Sequence, residues 1–195
     1  MSKLYFRYGA MNSGKSTNLM QVAHNYKERG MNVVLLKPAT DKKGGDKLVS
    51  RLGVERKVDL LIDDEKDIYN EIKKWQKEKF EINCILVDEV QFLKANQIDQ
   101  LFEVAVRLDI PVICYGLRTD FKMQGFEGST RLLLLAHSIE EMKTVCNCGR
   151  KAILNGRKVN GKFVFEGQQI AIDNVDNVEY ESLCGHCYFK YKNEK

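Results

Sequence analysis

Gly9-Ala10-Met11-Asn12-Ser13-Gly14-Lys15-Ser16 fits the pattern G-x-x-x-x-G-K-[ST], and it stands between the apolar run Leu4-Tyr5-Phe6 and an amphipathic, helix-like segment. Strand, glycine loop and helix in that order are the context in which this pattern binds phosphate. Glycines at both ends let the backbone curl until successive N–H groups face inward, and the following helix aims the positive end of its dipole at the same point. Lys15 then reaches the β- and γ-phosphates of a nucleotide. Ser16 presents its hydroxyl to Mg²⁺, a hard cation that takes oxygen ligands. A chance glycine turn is the competing explanation, and the strand and helix on either side argue against it.

Downstream, Leu19, Val22, Ala23 and Tyr26 recur at helical spacing and Gly30 supplies a stop, so a helix is expected over 16–29. His24 falls within it and reads as a surface or packed imidazole. Val33-Val34-Leu35-Leu36 is a continuous aliphatic run, as in a parallel strand covered on both faces. Residues 38–57 lose apolar periodicity, contain Gly44-Gly45, and carry six basic against three acidic side chains over 41–57; they read as a basic loop able to fold over phosphates. A polar helix is expected over 64–80, with Ile68, Ile72, Trp75 and Lys79 on one side. Cys84-Ile85-Leu86-Val87 then ends in Asp88-Glu89, four apolar residues followed by an acid. This is the Walker B pattern, whose carboxylate faces Mg²⁺ beside the glycine loop. Ile98, Leu101, Phe102, Ala105 and Leu108 mark a core-facing helix over 95–108, and 111–116 returns as a buried strand. Phe121, Gly125, Phe126 and Gly128 punctuate a loop before a short apolar run at 132–135 that belongs to a helix packed on the sheet.

A chain of 195 residues suits one domain, or one with a small appendage. Hydrophobic residues make up 44%, and the net charge of +4 (31 basic less 27 acidic side chains) is too small to argue for nucleic acid. No apolar run approaches membrane-spanning length, and Met1-Ser2-Lys3 leads straight into the first strand, so a cytoplasmic protein without a leader is expected. Of six cysteines, Cys84 and Cys114 lie in strand-like runs as core thiols. The other four form two close pairs, Cys146-Asn147-Cys148 and Cys184-Gly185-His186-Cys187. Four soft ligands suit a closed, structural Zn²⁺ site. Cys187 is favoured as the fourth ligand, with His186 as the alternative. Between the pairs, 153–159 and 161–165 read as a hairpin turning at Asn160-Gly161. Residues 168–180 read as a polar loop returning to Cys184.

These features point to an ATP-using enzyme with Mg²⁺ and a zinc-stapled C-terminal segment. No Asn-Lys-x-Asp or Thr-Lys-x-Asp segment is present to read guanine. A nucleic-acid-dependent ATPase is the runner-up, since Arg150, Lys151, Arg157, Lys158 and Lys162 put basic residues on the finger. A small-molecule kinase fits the length best.

Residues 9–17, Asp88-Glu89-x-Gln91-Phe92, Tyr115-Gly116-Leu117-Arg118-Thr119-Asp120-Phe121 and the four cysteines, in this order and spacing, resemble the zinc-containing thymidine kinases of bacteria and animal cytosol. The likeness covers nearly the whole chain. It implies an α/β fold, a P-loop NTPase-like parallel sheet flanked by helices (1–142), with a small C-terminal zinc-bound hairpin and lasso domain (143–195). It also implies transfer of the ATP γ-phosphoryl group to the 5′-hydroxyl of thymidine, giving dTMP and ADP, by a homotetramer with no nucleic-acid or membrane partner. Residue by residue, it implies that Glu89 is the base and that Ser16 and Asp88 serve Mg²⁺. Gly9, Ala10, Met11, Asn12, Ser13, Gly14, Lys15, Ser16, Thr17, Asp88 and Gln91 would form the ATP side. Phe92, Leu117, Phe121 and Phe126 would line the thymine pocket, Tyr180 would lie near the sugar, and Cys146, Cys148, Cys184 and Cys187 would hold Zn²⁺. Asp41 with Lys43 matches the family's Asp-x-Arg, with Lys in place of Arg. Asp173-Asn174 stands about where the family has Gly-Gly.

Overall fold

The apolar runs become a parallel sheet because each is covered on both faces. The computed structural model describes residues 1–41, 45–49, 55–78, 80–169 and 177–194. Its first part runs β1 (Leu4–Tyr8), α1 (Lys15–Glu28), β2 (Val33–Pro38), β3 (Lys47–Val49), β4 (Glu55–Lys57), β5 (Leu60–Ile62), α2 (Ile68–Glu78), β6 (Cys84–Val87), α3 (Ala95–Arg107), β7 (Val112–Gly116), α4 (Glu127–Leu135) and β8 (Ser138–Glu141). The central sheet has six strands in the order β5-β2-β6-β7-β1-β8, every pair parallel. Successive side chains alternate between its faces. Val34, Leu36, Ile85, Val87, Val112 and Cys114 pack toward the core shared with α2, α3 and α4, while Leu35, Cys84, Leu86, Ile113 and Tyr115 pack toward α1. The loops after β1, β6 and β7 emerge together at the carboxyl edge, where open α/β sheets bind ligands.

The second part is β9 (Thr144–Val145), β10 (Lys151–Ala152), β11 (Leu154–Val159), β12 (Lys162–Val164), β13 (Val178–Leu183) and α5 (Gly185–Asn193). It has its own apolar cluster, with Leu154, Phe165, Leu183 and Tyr188 beside three of the late cysteines. The expected hairpin forms, and Asn160 (φ 50°) and Gly161 (φ 78°) take the two left-handed positions that a two-residue turn requires.

Several expectations change. The helix expected over 64–80 begins only at Ile68, because the Asp67 carboxylate accepts from the Asn70 N–H at 3.0 Å and caps it there. Lys79, expected on its inner face, lies outside the described residues, as do Lys43, Gly44, Asp173 and Asn174. The basic connection is partly ordered: β3 and β4 pair antiparallel, and Leu48 and Val58 pack toward α1. β5 and β8 add the two edges of the sheet, β13, which starts in the last three residues of the expected polar loop and runs on to Leu183, pairs along the whole of β11, and α5 follows Cys184. β8 reads as polar in sequence because an edge strand leaves one side to water.

Candidate active site

The glycine loop is shaped by backbone constraints. Gly9 N–H donates to the Gly116 carbonyl at 3.3 Å, and a Cβ on Gly9 would fall 2.3 Å from Ser13 Oγ and 2.5 Å from the Met142 carbonyl oxygen. Asn12 (φ 65°) and Gly14 (φ 78°) are left-handed, turning the chain into α1. Lys15 is buried and folds back on the loop, its Nζ donating to the carbonyls of Gly9 (3.2 Å) and Ala10 (2.9 Å) and to Ser13 Oγ (3.3 Å). Ser16 Oγ donates to Asp88 Oδ2 at 3.0 Å, so the two ends of the nucleotide motif meet across the sheet. Asp88 is 4% exposed, and its Oδ1 has no hydrogen-bond partner among the described residues. Burial, with the neighbouring Glu89 charge, pushes this carboxyl up to about 7, and the Ser16 hydroxyl and Lys15 ammonium only partly offset that. A buried carboxylate oxygen without a partner beside a hydroxyl is an all-oxygen site that fits Mg²⁺.

Glu89 leaves the strand. Extended alternation would separate Asp88 and Glu89 onto opposite faces, but β6 stops at Val87 and Glu89 takes a left-handed conformation (φ 48°) ahead of a 3-10 turn at Val90–Phe92. A non-glycine residue held there is strained, and such strain collects at functional sites. Gln91 fixes it: its amide nitrogen donates to Glu89 Oε2, and its Oε1 accepts from Leu117 N–H at 3.1 Å. Gly116 makes room, since a Cβ there would sit 2.5 Å from Gln91 Oε1.

The expected acceptor residues fall into two groups, Phe92, Leu117 and Phe126 beside the Glu89 turn, and Phe121 with Tyr180 around Arg157. Phe92 and Phe126 meet edge to face at 5.7 Å. Leu117 is joined to Glu89 through Gln91, and its carbonyl accepts from Ser129 Oγ at 2.5 Å. Phe121 is buried, with its carbonyl accepting from the Tyr188 hydroxyl at 2.8 Å. Tyr180 reaches the group through Arg157, which lies 3.8 Å from the Phe121 ring centroid and donates from Nε to the Tyr180 hydroxyl at 3.0 Å.

Sequence reasoning missed Asn155 and Arg157, taking Arg157 for a surface residue of the finger. Asn155 Oδ1 accepts from the Met11 N–H of the glycine loop at 2.8 Å, and its amide donates to the Thr119 carbonyl at 3.0 Å. Both side chains are buried. The available signal was their i, i+2 spacing on a predicted strand, which puts them on one face.

The Sγ atoms of Cys146, Cys148, Cys184 and Cys187 all lie within 4.8 Å of one another. Tetrahedral zinc with Zn–S of about 2.3 Å needs sulfurs roughly 3.8 Å apart, so four thiolates at this spacing fit the ion. His186 is exposed and outside the cluster, so Cys187 is the fourth member. The Arg150 backbone N–H, with the neighbouring thiols, pulls Cys148 down to about 6, while Cys148 and its neighbours push Cys187 up to about 12. His24 is exposed and pairs with Glu28, as a surface imidazole does.

The glycine loop, Lys15 and the Ser16–Asp88 pair at the carboxyl edge of a parallel sheet define a P-loop nucleotide-binding protein. The thymidine kinase family model matches residues 2–188, and the chain belongs to that family. The thymidine kinase of Enterobacteria phage T4 is 47% identical over 186 residues, covering 94% of each chain. That of Streptococcus gordonii is 44% identical over 192 residues, covering 97% of each. Among solved structures, a replication initiator DnaA bound to AMPPCP and single-stranded DNA aligns at a TM-score of 0.44 and 20% identity, over 73% of this chain and 41% of that one.

Proposed function

We infer that this chain is a thymidine kinase, transferring the γ-phosphoryl group of ATP to the 5′-hydroxyl of thymidine to give dTMP and ADP. The observation that carries the reading is full-length membership of the thymidine kinase family in a chain whose P-loop, after β1, and acidic pair, after β6, meet at the carboxyl edge of the sheet through the Ser16–Asp88 hydrogen bond. Residues 9–17 cradle the nucleotide phosphates with backbone N–H groups, and Lys15 exchanges the carbonyls of Gly9 and Ala10 for β- and γ-phosphate oxygens. Ser16 and Asp88 would hold Mg²⁺, with the unpartnered Asp88 Oδ1 supporting that role. When bound, Mg²⁺ supplies charge neutralisation and orientation of the transferred group. Gln91 occupies one oxygen of Glu89 and so directs the other at the acceptor alcohol. As the 5′-oxygen bonds to the γ-phosphorus, Glu89 takes the alcohol's proton and the bond to the ADP oxygen breaks.

Phe92, Leu117, Phe121 and Phe126 would enclose the thymine, with Tyr180 beside the sugar. The four cysteines would hold one structural Zn²⁺. We divide the chain at 142/143, supported by the separate apolar cluster of the later segment. Exposed Leu133, Leu134 and Ile139, at the end of α4 and on the edge strand β8, support association into a homotetramer. Four clustered thiols suited to a metal and two further buried thiols, Cys84 and Cys114, support residence in the reducing cytoplasm. No described helix is long and apolar enough to cross a membrane.

The nucleic-acid reading is not favoured. Of its finger residues, Arg157 is buried, and Lys151 and Lys158 pair with Glu141 and Glu181. The test is ADP formation from ATP and Mg²⁺ across a panel of nucleosides and single-stranded DNA. Stimulation by thymidine with a phosphorylated product is expected; stimulation by DNA alone would overturn the assignment.

A further inference from the structure

Arg157 is 5% exposed, yet among the described residues no carboxylate pairs with its guanidinium. A buried charge in that position is costly unless its donors are used. They are. Nε donates to the Tyr180 hydroxyl at 3.0 Å, Nη1 to the Gln168 carbonyl at 2.8 Å, and Nη2 to the Gln169 carbonyl at 2.9 Å. The guanidinium also lies over the face of Phe121, 3.8 Å from the ring centroid. Lys122 Nζ donates to the Gly167 carbonyl at 2.9 Å, so three consecutive carbonyls, 167 to 169, each accept from a cation.

The strand beneath is built for this. β11 places Arg157 on one face, and Gly156 turns toward the other, where a Cβ would come within 2.6 Å of the Phe163 ring and 2.7 Å of Leu183. That crowding holds β11 against its neighbours and fixes where Arg157 emerges.

We propose that Arg157 is a positioning residue for the nucleoside acceptor, holding the Phe121 ring, the Tyr180 hydroxyl and the 167–169 backbone in one geometry and thereby setting the affinity for thymidine. The inference rests on the reading of Phe121 and Tyr180 as acceptor residues. Arginine is required because a planar fork meets several acceptors and a ring face at once, whereas a lysine ammonium is a point charge that cannot. An arginine that served only the fold would, on replacement, weaken the ATP and thymidine sides together.

Arg157→Lys in the full-length chain, with zinc content, melting temperature and steady-state constants measured, separates these. KM for thymidine should rise about tenfold or more, as expected for losing hydrogen bonds to a charged group. KM for ATP should stay within about twofold and the metal content should not change. Tyr180→Phe removes the acceptor of Nε, so in the Arg157→Lys background it should add less than it does alone. Should the lysine variant not fold, Arg157→Gln reads the same ratio of constants. Phe92→Leu, away from Arg157, tests the acceptor reading by itself. If Phe92→Leu raises the thymidine KM and Arg157→Lys does not, the positioning role is overturned and the acceptor site stands. If neither moves it, both fall. Equal rises in both KM values accompanied by loss of zinc would make Arg157 a purely structural residue.

Discussion

Asp88 and Glu89 are adjacent acids with different surroundings, and those surroundings separate their roles. Asp88 is buried against the Ser16 hydroxyl with its carboxyl raised to about 7, so the folded chain holds that proton more tightly than the unfolded chain does. Stability of the nucleotide-free protein therefore falls as pH rises from the ordinary carboxylate range to about 7. Asp88→Asn removes that loss. Chemical denaturation should find the variant more stable than wild type above about pH 7, with the difference gone near about pH 4. The same proton competes with Mg²⁺, so the wild-type Mg²⁺ requirement in the kinase assay should rise below about pH 7, whereas the asparagine variant should need more Mg²⁺ at every pH. Glu89 is engaged by Gln91 and held in a left-handed turn. Glu89→Gln keeps shape and hydrogen bonding but removes the base, and kcat should fall by ~10²- to 10⁴-fold with little change in either KM. Wild-type turnover, or rescue by added Mg²⁺ as complete as that of Asp88→Asn, would remove Glu89 as the base.

At the level of elements, the P-loop is where local geometry is tightest. An alanine at Gly9 would press its Cβ on Ser13 and on the Met142 carbonyl next to β8, and the latter is backbone that cannot rotate away. Gly9→Ala should destabilise the fold by about 1–3 kcal/mol in urea denaturation, as other overpacked sites do. It should also raise KM for ATP, because the loop must shift to accommodate it; an unchanged value would mean that the loop does not bind phosphate in this form. The turn of the β11–β12 hairpin behaves differently. Gly161 has open space around a would-be Cβ but a φ of 78°, so Gly161→Ala should cost about 1–2 kcal/mol from conformation alone and leave both KM values unchanged.

Across the whole molecule, the C-terminal module reaches into the first part at separate points. Asn155 ties β11 to Met11 and Thr119, the Tyr188 hydroxyl on α5 holds the Phe121 carbonyl, and Arg157 covers the Phe121 ring. Cys184 caps α5 and is one of the four clustered thiols, so the cysteine cluster and the Phe121 loop, held by Tyr188 of the same helix, share a scaffold. Purified, reduced protein should carry about one zinc per chain. Cys184→Ser should release it and raise the thymidine KM with a smaller effect on that for ATP. Metal analysis finding no zinc in fresh reduced protein, or a zinc-free variant with unchanged thymidine KM, would break the link.

The sequence by itself determined the P-loop, the Asp88 carboxylate after its strand, the four central strands with α1 and α3, the Asn160-Gly161 hairpin and the four-cysteine set. Each is written in residues a few positions apart: a glycine spacing, a hydrophobic period, a ligand pair. Tertiary structure alone decided the rest. The Asn155–Met11 bond joins positions 144 apart, and the ring covered by Arg157 belongs to a loop on the other part of the chain. Whether a basic or amide side chain faces water or is buried depends on which distant segment covers it, so Arg157 read as surface and proved to be interior. β5, β8 and β13 are short or polar and form because a neighbouring strand offers hydrogen bonds, not because their own pattern demands it. Glu89 left its strand for the same reason: Gln91, itself held by the Leu117 N–H from β7's loop, fixes the turn that no alternation of side chains could foretell.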